Sequence, residues 1–518
     1  MTSATRALRL SLAVSLVIST ALFVFWSRHW PLVGDASLMH YIGFLIEHGR
    51  APYRDLGDMD MPGTFLIEMA AMKVFGGGAA GLRLFDFTLL GVAAGSYVVV
   101  TKRAGWFAAV FAGALFALVH GRDGMAQGGQ RDLTIAALLL AATAVLFVAI
   151  RRRAWWGMVG FGLLSGIALT IKPTPLPLSL GQLLIAAWVM PKPDFERDRV
   201  LHPVWTVFWA GVGLLVGPLV SLGFLLQQRA VGAFWVSLRT VVPYYQSLGH
   251  RPLAYLLSHS VSPLIALVLI WFAVLALARP RLDWQRGLLL CGAGFALAAF
   301  VFQARGWPYH RYPLLAFLLP LMAMDFSAAM ELLQTRAPQL RFAAALSMVA
   351  LCVGGFWIGP QSALQIHRFR WWQTDFITTL EGNLDRLGGA GLAGRVQCID
   401  WFSGCGTTLY KMRLMPATGV LSDFLLFGPP DKPAIQQARA MFGEAFVHPP
   451  KVIVVSSYLQ FSGPGNYEKL DLWPELKAFL DRDYRLDTDW KPTRTERWWN
   501  REELPYGYRI YVRKETEP

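Results

Sequence analysis

The sequence predicts a polytopic α-helical membrane protein that ends in a soluble α/β domain. Three observations carry this. First, 54% of the 518 residues are hydrophobic and only 16% are charged, where a soluble domain carries about 25%; the mean hydropathy is +0.40. Second, apolar runs such as "LRLSLAVSLVISTALFVFW" and "LTIAALLLAATAVLFVAI" recur, each close to the roughly 20 residues that cross a bilayer. Third, past residue 361 the long runs stop and short β-branched stretches alternate with polar ones. The net charge of +14 would suggest a nucleic-acid partner in a soluble chain. Here it collects in short loops, as the positive-inside rule requires, and no nucleic-acid motif is present.

The elements follow in order. The first run, about 9–27, is longer than the apolar core of a signal peptide, and "FWSRHWPLVGD" has no small-residue cleavage site, so it reads as a retained first helix. Arg6 and Arg9 keep the N-terminus in the cytoplasm. The stretch 28–82 is then an outer loop. Within it "ASLMHYIGFLIEHG" is amphipathic, and "PGTFLIEMAAMKVFG" (62–76) is apolar but short, with Glu68 and Lys73 inside it. Counting that second segment as a crossing would invert every later loop and put the arginine runs outside. It is therefore expected to be a juxtamembrane or partly inserted helix. Basic turns follow at Lys102-Arg103, Arg151-Arg152-Arg153, "PKPDFERDR" (191–199), "RPRLDWQR" (279–286) and "QTRAPQLR" (334–341). One outward and one inward crossing fit between each successive pair, and a last helix at about 342–359 exits. That makes about eleven spans, with a further interfacial helix expected in the long outer loop at about 228–252. The expected division is a transmembrane domain, 1–360, and an outer domain, 361–518.

In the outer domain "RVQCIDW", "KVIVVSS" and "YRIYVRK" read as strands, and "DKPAIQQARAMFGEAF" and "WPELKAFLDRDY" as helices. About 150 residues are enough for a core of their own. Cys291 and Cys352 lie in apolar runs and read as packing residues. Cys398 and Cys405 face an oxidising compartment and are expected to form a disulfide. No zinc-ligand spacing occurs.

This topology sends an unusual set of polar residues to one side: Asp35, Asp55, Asp58 and Asp60 in the first outer loop; Asp123, Gln130, Arg131 and Asp132 in "GRDGMAQGGQRDLT"; Lys172 in "GIALTIKPTPLP"; Arg229, Arg239 and Arg251 in the long loop; and Arg305, Tyr309, His310 and Arg311 in "VFQARGWPYHRYP". Ionisable groups at membrane depth are costly and mark function. Acids beside cations suit a lipid-linked sugar phosphate: Lys and Arg hold the phosphate, and a carboxylate deprotonates an acceptor hydroxyl. Each residue also has a plain structural reading. Asp35 could cap a helix starting near Ala36, and Asp55 could pair with Arg54 or Arg50. Asp58 and Asp60 are either solvated loop acids or two hard ligands of a divalent cation, the one cofactor the pattern suggests. Asp132 could cap the fourth span, and Lys172 could snorkel to headgroups. His310 could be an ordinary interfacial histidine. Arg83 and Asp86, spaced i and i+3, read as a structural ion pair, and Glu68 could pair with Lys73.

The order of these residues resembles GT-C glycosyltransferases. The resemblance lies in Asp35 after the first helix, "GRAPYRD" leading to "PG", "VFG…GLRLFD", "GQRDL", "TIKP" and "ARGWPYHRYP". It covers roughly residues 10–330 and is nearest to bacterial enzymes of the protein mannosyltransferase and lipid A aminoarabinose transferase type. It implies a polyprenyl-phosphate sugar donor and an inverting transfer of a hexosyl or pentosyl group. The acceptor would be a hydroxyl on a glycan, lipid or protein, at the periplasmic face of a bacterial inner membrane. Carried over, Asp35 takes the place of the first-loop acid and base, and Asp132 that of the second-loop acid. Lys172, Arg305, Tyr309 and His310 match positions beside the donor phosphate, and Arg239 matches loosely. Asp55, Asp60 and Gln130 are expected to touch substrate. One departure stands out. Many relatives carry a lysine before the proline that follows the first-loop motif, whereas here "MDMPG" places Asp60 there, which points to a different donor, acceptor or bound cation. The rival reading is a transporter or flippase of a lipid-linked anion. That class usually shows midplane polar groups, broken helices and internal repeats, none of which is read here.

Overall fold

The computed structural model describes residues 3–190, 202–368, 373–400, 402–459, 461, 467–492 and 506–514. The helices up to the end of the apolar region are α1 (Ser3–Ser27), α2 (Asp35–Glu47), α3 (Pro62–Phe75), α4 (Ala79–Val100), α5 (Trp106–Arg122), α6 (Arg131–Arg152), α7 (Trp155–Ile171), α8 (Leu176–Val189), α9 (Pro203–Gln227), α10 (Val231–Gln246), α11 (Leu253–Ser260), α12 (Ile265–Ala278), α13 (Trp284–Gln303), α14 (Tyr312–Met330), α15 (Pro338–Cys352) and α16 (Gly359–Arg368). Among the described residues seven helical stretches are long and apolar enough to cross a membrane. The pair α11 and α12 makes an eighth if it counts as one span, and α5, α7 and α8 are shorter apolar helices. The expected eleven is reached only when all of these cross. The segments α2, α3 and α10, expected along the interface, belong to neither group. The expected basic turn at 191–199 lies outside the described residues.

One expectation is overturned. The helices are not all continuous: α11 and α12 meet at 84°. The break falls at "VSPL", where Pro263 lacks an N–H and disfavours helix in the residue before it. Further on, α15 runs into α16 through a π-helical turn at Val353–Ile358.

The close approach of α7 to α9 follows from glycine spacing. Gly162 and Gly166 on α7 face Gly213 and Gly217 on α9, each four residues apart. A Cβ on Gly162 would lie 2.0 Å from the Ala210 carbonyl oxygen, and one on Gly213 would lie 2.1 Å from that of Val159. Small residues at this spacing let two backbones touch where apolar surface alone provides no drive for helices to associate.

Beyond the bundle come α17 (Gln373–Leu387), α18 (Cys405–Lys411), α19 (Pro433–Phe442), α20 (Glu444–Val447) and α21 (Pro474–Asp483), with strands β1 (Val396–Ile399), β2 (Val452–Ser456), β3 (Tyr484–Trp490) and β4 (Tyr508–Arg513). The sheet order is β1-β2-β4-β3. β1 and β2 are parallel, and β4 runs antiparallel to both its neighbours. Strand β3 is not among the strands expected from sequence; its exposed, charged alternation marks it as an edge. β2 is buried on both sides. Ile453 and Val455 join the core beneath α19 and α21, and Val452 and Val454 face the cluster continuous with the bundle, as the two-residue strand period dictates. The expected disulfide Cys398–Cys405 is present, with the Cα atoms 6.0 Å apart.

The domain is seated on the bundle through the interfacial elements. The Ser37 and Thr407 hydroxyls lie 2.6 Å apart. Tyr41 donates to the Leu414 carbonyl at 3.0 Å, and Tyr410 to the Gly77 carbonyl at 2.5 Å. The Gly57 amide donates to the Gly419 carbonyl at 2.9 Å.

Candidate functional site

Helix α2 begins at Asp35, after Gly34 with φ +69°. Asp35 is therefore not the cap of that helix, as the structural reading would have it. Its carboxylate instead accepts from Arg131 Nη2 at 3.1 Å. The acidic loop is folded by its own polar groups. The Asp58 carboxylate accepts the Asp60 backbone N–H at 2.7 Å, Ser237 donates to the Asp58 carbonyl at 2.8 Å, and Tyr53 donates to the Asp60 carbonyl at 2.5 Å. These bonds turn the Asp60 side chain onto Arg131 Nη1. Arg131 opens α6 and thus joins the acids of two separate loop segments, while its Nε is buried without a partner among the described residues.

The next residue, Asp132, is buried and does not cap α6. It accepts from Lys172 Nζ at 2.5 Å, and Lys172 also donates to Gln303 Oε1 at 3.3 Å. Lys172 is extended because Pro173 follows, and this ends α7 with the ammonium turned inward instead of out to headgroups. Its nitrogen lies 5.8 Å from the centre of the Tyr309 ring. Tyr309 and His310 are buried in a tight helical turn, Pro308–Arg311. Lys172, Arg305 and Arg131 all lie within electrostatic reach of His310, as Asp35 and Arg131 do of Tyr309. Arg305 donates to the Tyr245 carbonyl at 2.5 Å and lies over the Tyr245 ring at 3.6 Å. Burial first, and the neighbouring Asp60 second, push the Asp58 carboxyl up to about 7.

The structure therefore brings Asp35, Asp60, Asp132, Lys172, Arg305, Tyr309 and His310 to one end of the bundle. It does not bring the rest. Arg239 is exposed and lies over Trp235, 4.6 Å from the ring centre. Asp55 is held by Arg54 at 2.8 Å and caps the Ala51 N–H at 2.8 Å, which matches its structural reading. Gln130 donates to the Ala126 carbonyl at 3.2 Å and braces the turn before α6. Arg83 and Asp86 are an ion pair at 3.4 Å, with His120 and the Gly129 amide also on Asp86. Glu68 corrects an expectation. Its Oε1 lies 2.6 Å from His40 Nδ1 and away from Lys73, because five helical positions turn Lys73 to the exposed side. The sequence groups Arg131 with these residues but gives it no role; the signal was its position between Gln130 and Asp132 in "GQRDL".

Among the described residues no group of three or more His, Cys, Asp or Glu could hold a metal ion. One oxygen of Asp58 accepts a backbone amide, and the Asp60 carboxylate accepts from Arg131. What the cluster offers is cations held on carboxylates out of water. Each such contact is worth about 4 kcal/mol of Coulomb attraction at 4 Å in a protein-like dielectric, and an entering anion can compete for the cations.

No family model matches the sequence, and neither does any curated protein. Solved structures do match. ArnT from Cupriavidus metallidurans, in the apo state and bound to undecaprenyl phosphate, is 15% identical, covers 98% of this chain and 98% of its own, and has a TM-score of 0.56. The apo oligosaccharyltransferase of Archaeoglobus fulgidus is 13% identical, covers 95% of this chain and 75% of its own, and has a TM-score of 0.52. The chain thus has the fold of the GT-C glycosyltransferases, in a membrane-embedded helical form.

Proposed function

We propose that the chain is a membrane glycosyltransferase. It takes a sugar from a polyprenyl-phosphate donor and passes it to a hydroxyl of a glycan, lipid or protein at the periplasmic face of a bacterial inner membrane. The N-terminus is then cytoplasmic, residues 1–360 form the catalytic domain, and 361–518 lie in the periplasm. The observation that carries this is the pair of linked ion pairs, Asp35 and Asp60 on Arg131 beside Asp132 on Lys172, in a fold shared with a protein solved with undecaprenyl phosphate.

The donor phosphate enters among Lys172, Arg305, Tyr309 and His310 and also finds the unpartnered Arg131 Nε. As it draws Arg131, Asp35 loses part of its counter-charge and becomes a better base. Asp35 takes the proton of the acceptor hydroxyl, whose oxygen attacks the anomeric carbon from the face opposite the phosphate. The carbon–oxygen bond to phosphate breaks, the configuration inverts, and polyprenyl phosphate leaves with its growing charge on Lys172 and Arg305. Charge-assisted contacts of this kind are the strong ones.

The test is sugar transfer by the purified protein from polyprenyl-phosphate sugars. Asp35→Asn is expected to lower the rate by about 10²–10⁴, the usual weight of a general base, while Asp60 still holds Arg131. Wild-type rates in that variant would refute the base assignment. Movement of labelled lipid across liposomes without any transfer would replace the enzyme by a flippase.

A further inference from the structure

The C-terminal sheet carries a second charged site, far simpler than the first. Arg395 immediately precedes β1, Lys451 immediately precedes β2, Arg485 is the second residue of β3, Arg513 ends β4 and Lys514 follows it. Nothing in their sequence spacing groups them; the topology does. β1 and β2 are parallel, so their starts share an edge. β4 runs antiparallel to β2 and to β3, which brings its end and the start of β3 to that same edge. The Val452 amide donates to the Arg395 carbonyl at 3.1 Å, and that of Arg513 to the Lys451 carbonyl at 3.0 Å. The five side chains line a cleft of about 720 Å³, completed by Pro449 and Val512, and no carboxylate lines it.

Surface cations are ordinarily interleaved with acids, because like charges around one concavity repel. Here the opposite end of the sheet obeys that rule, with Arg509 on Asp489 at 3.1 Å, and this cleft is lined by cations without a carboxylate. Among the described residues the guanidiniums of Arg395, Arg485 and Arg513 make no hydrogen bond or ion pair, and all three are exposed. The lysines are anchored but not neutralised. Lys451 donates to the Leu387 carbonyl at 2.8 Å, and Lys514 to the carbonyls of Asp481 at 3.0 Å and Arg482 at 2.9 Å. Each keeps an N–H group to spare. Asp483, which acts on Arg513 and Lys514 through space, spends its direct ion pair on Arg482 at 2.7 Å.

We propose that this cleft binds a ligand carrying two or more phosphoryl groups. Planar guanidiniums match phosphate oxygens two at a time, and five cations around this volume exceed what a single phosphate can neutralise. A concavity lined by one sign of charge also concentrates its counter-ion. The site is independent of the transferase reading and uses none of its residues.

The experiment uses the full chain in phosphatidylcholine nanodiscs, with inorganic pyrophosphate as the soluble probe and cardiolipin mixed into the disc as the lipid probe. Hydrogen exchange is followed at 449–452, 484–486 and 512–514, and pyrophosphate affinity is measured by calorimetry. Pyrophosphate is expected to protect these three segments. The variant R395Q/R485Q/R513Q, which alters exposed side chains only, is expected to lose affinity about tenfold or more with unchanged thermal unfolding. Protection by cardiolipin alone identifies a lipid headgroup as the source of the phosphates; protection by pyrophosphate identifies a soluble one. No protection by either probe, or equal affinity in wild type and variant, overturns the proposal.

Discussion

At Arg131 two carboxylates share one guanidinium: Nη2 faces Asp35 at 3.1 Å and Nη1 faces Asp60. This gives Asp60 a concrete role. The acid at this position does not leave the loop without a cation, because it draws one in from the start of α6. Its neighbour Asp58 supplies a pH dependence. Its carboxyl titrates at about 7 in the folded chain, against about 3.9 when unfolded, so the fold favours the protonated acid. The stabilisation is complete below about pH 4, falls as pH rises, and is lost as pH passes through about 7. Thermal unfolding between about pH 5 and pH 8 should therefore show a midpoint that declines with pH, and Asp58→Asn should flatten that decline. A slope unchanged in the variant would exclude Asp58 as its source.

At the scale of elements, the placement of Lys172 depends on α7, and α7 depends on α9. The Gly166 position allows no side chain, since a Cβ there would sit 2.2 Å from the Leu214 carbonyl oxygen. Gly166→Ala should force the two helices apart and cost about 1–3 kcal/mol, the usual price of overpacking. Because Lys172 follows the end of α7, transfer should fall together with the unfolding temperature. A control such as Gly211→Ala, where a Cβ meets nothing within 4 Å, should change neither. The spacing that dictates this contact, "GLLSG" on α7 and "GLLVG" on α9, is plain in the sequence. It identifies two sticky faces; only the assembled bundle shows that they are partners.

For the whole molecule, the C-terminal domain is part of how the acidic loop is held. The Gly57 amide bonds to Gly419, and a Cβ on Gly419 would lie 1.8 Å from the Asp55 carbonyl oxygen. Gly419→Ala should therefore push the domain off the loop that presents Asp58 and Asp60. The expected result is a loss of about 1–3 kcal/mol in stability, with a loss of transfer, although residue 419 belongs to a different domain from every residue of the site. Full activity in that variant would show that the loop keeps its shape without the domain.

The sequence by itself determined that the chain is a polytopic helical membrane protein with a small sheet domain after its apolar region, and it marked Cys398 and Cys405 as the cysteines able to pair there. Those are properties of local composition and order: a lipid-crossing segment must satisfy its own backbone and carry enough apolar length. Tertiary structure alone decided which charges meet across elements. Arg131 could have served Asp132 next to it, yet it serves Asp35 and Asp60, while Asp132 takes Lys172. Glu68 passes over Lys73 on its own helix for His40 on another, and five cations scattered from 395 to 514 line one cleft because of strand direction. Attraction between charges acts through space, so partners on different elements are chosen by how helices and strands pack, and only local pairs such as Arg83 with Asp86 are recorded in chain spacing.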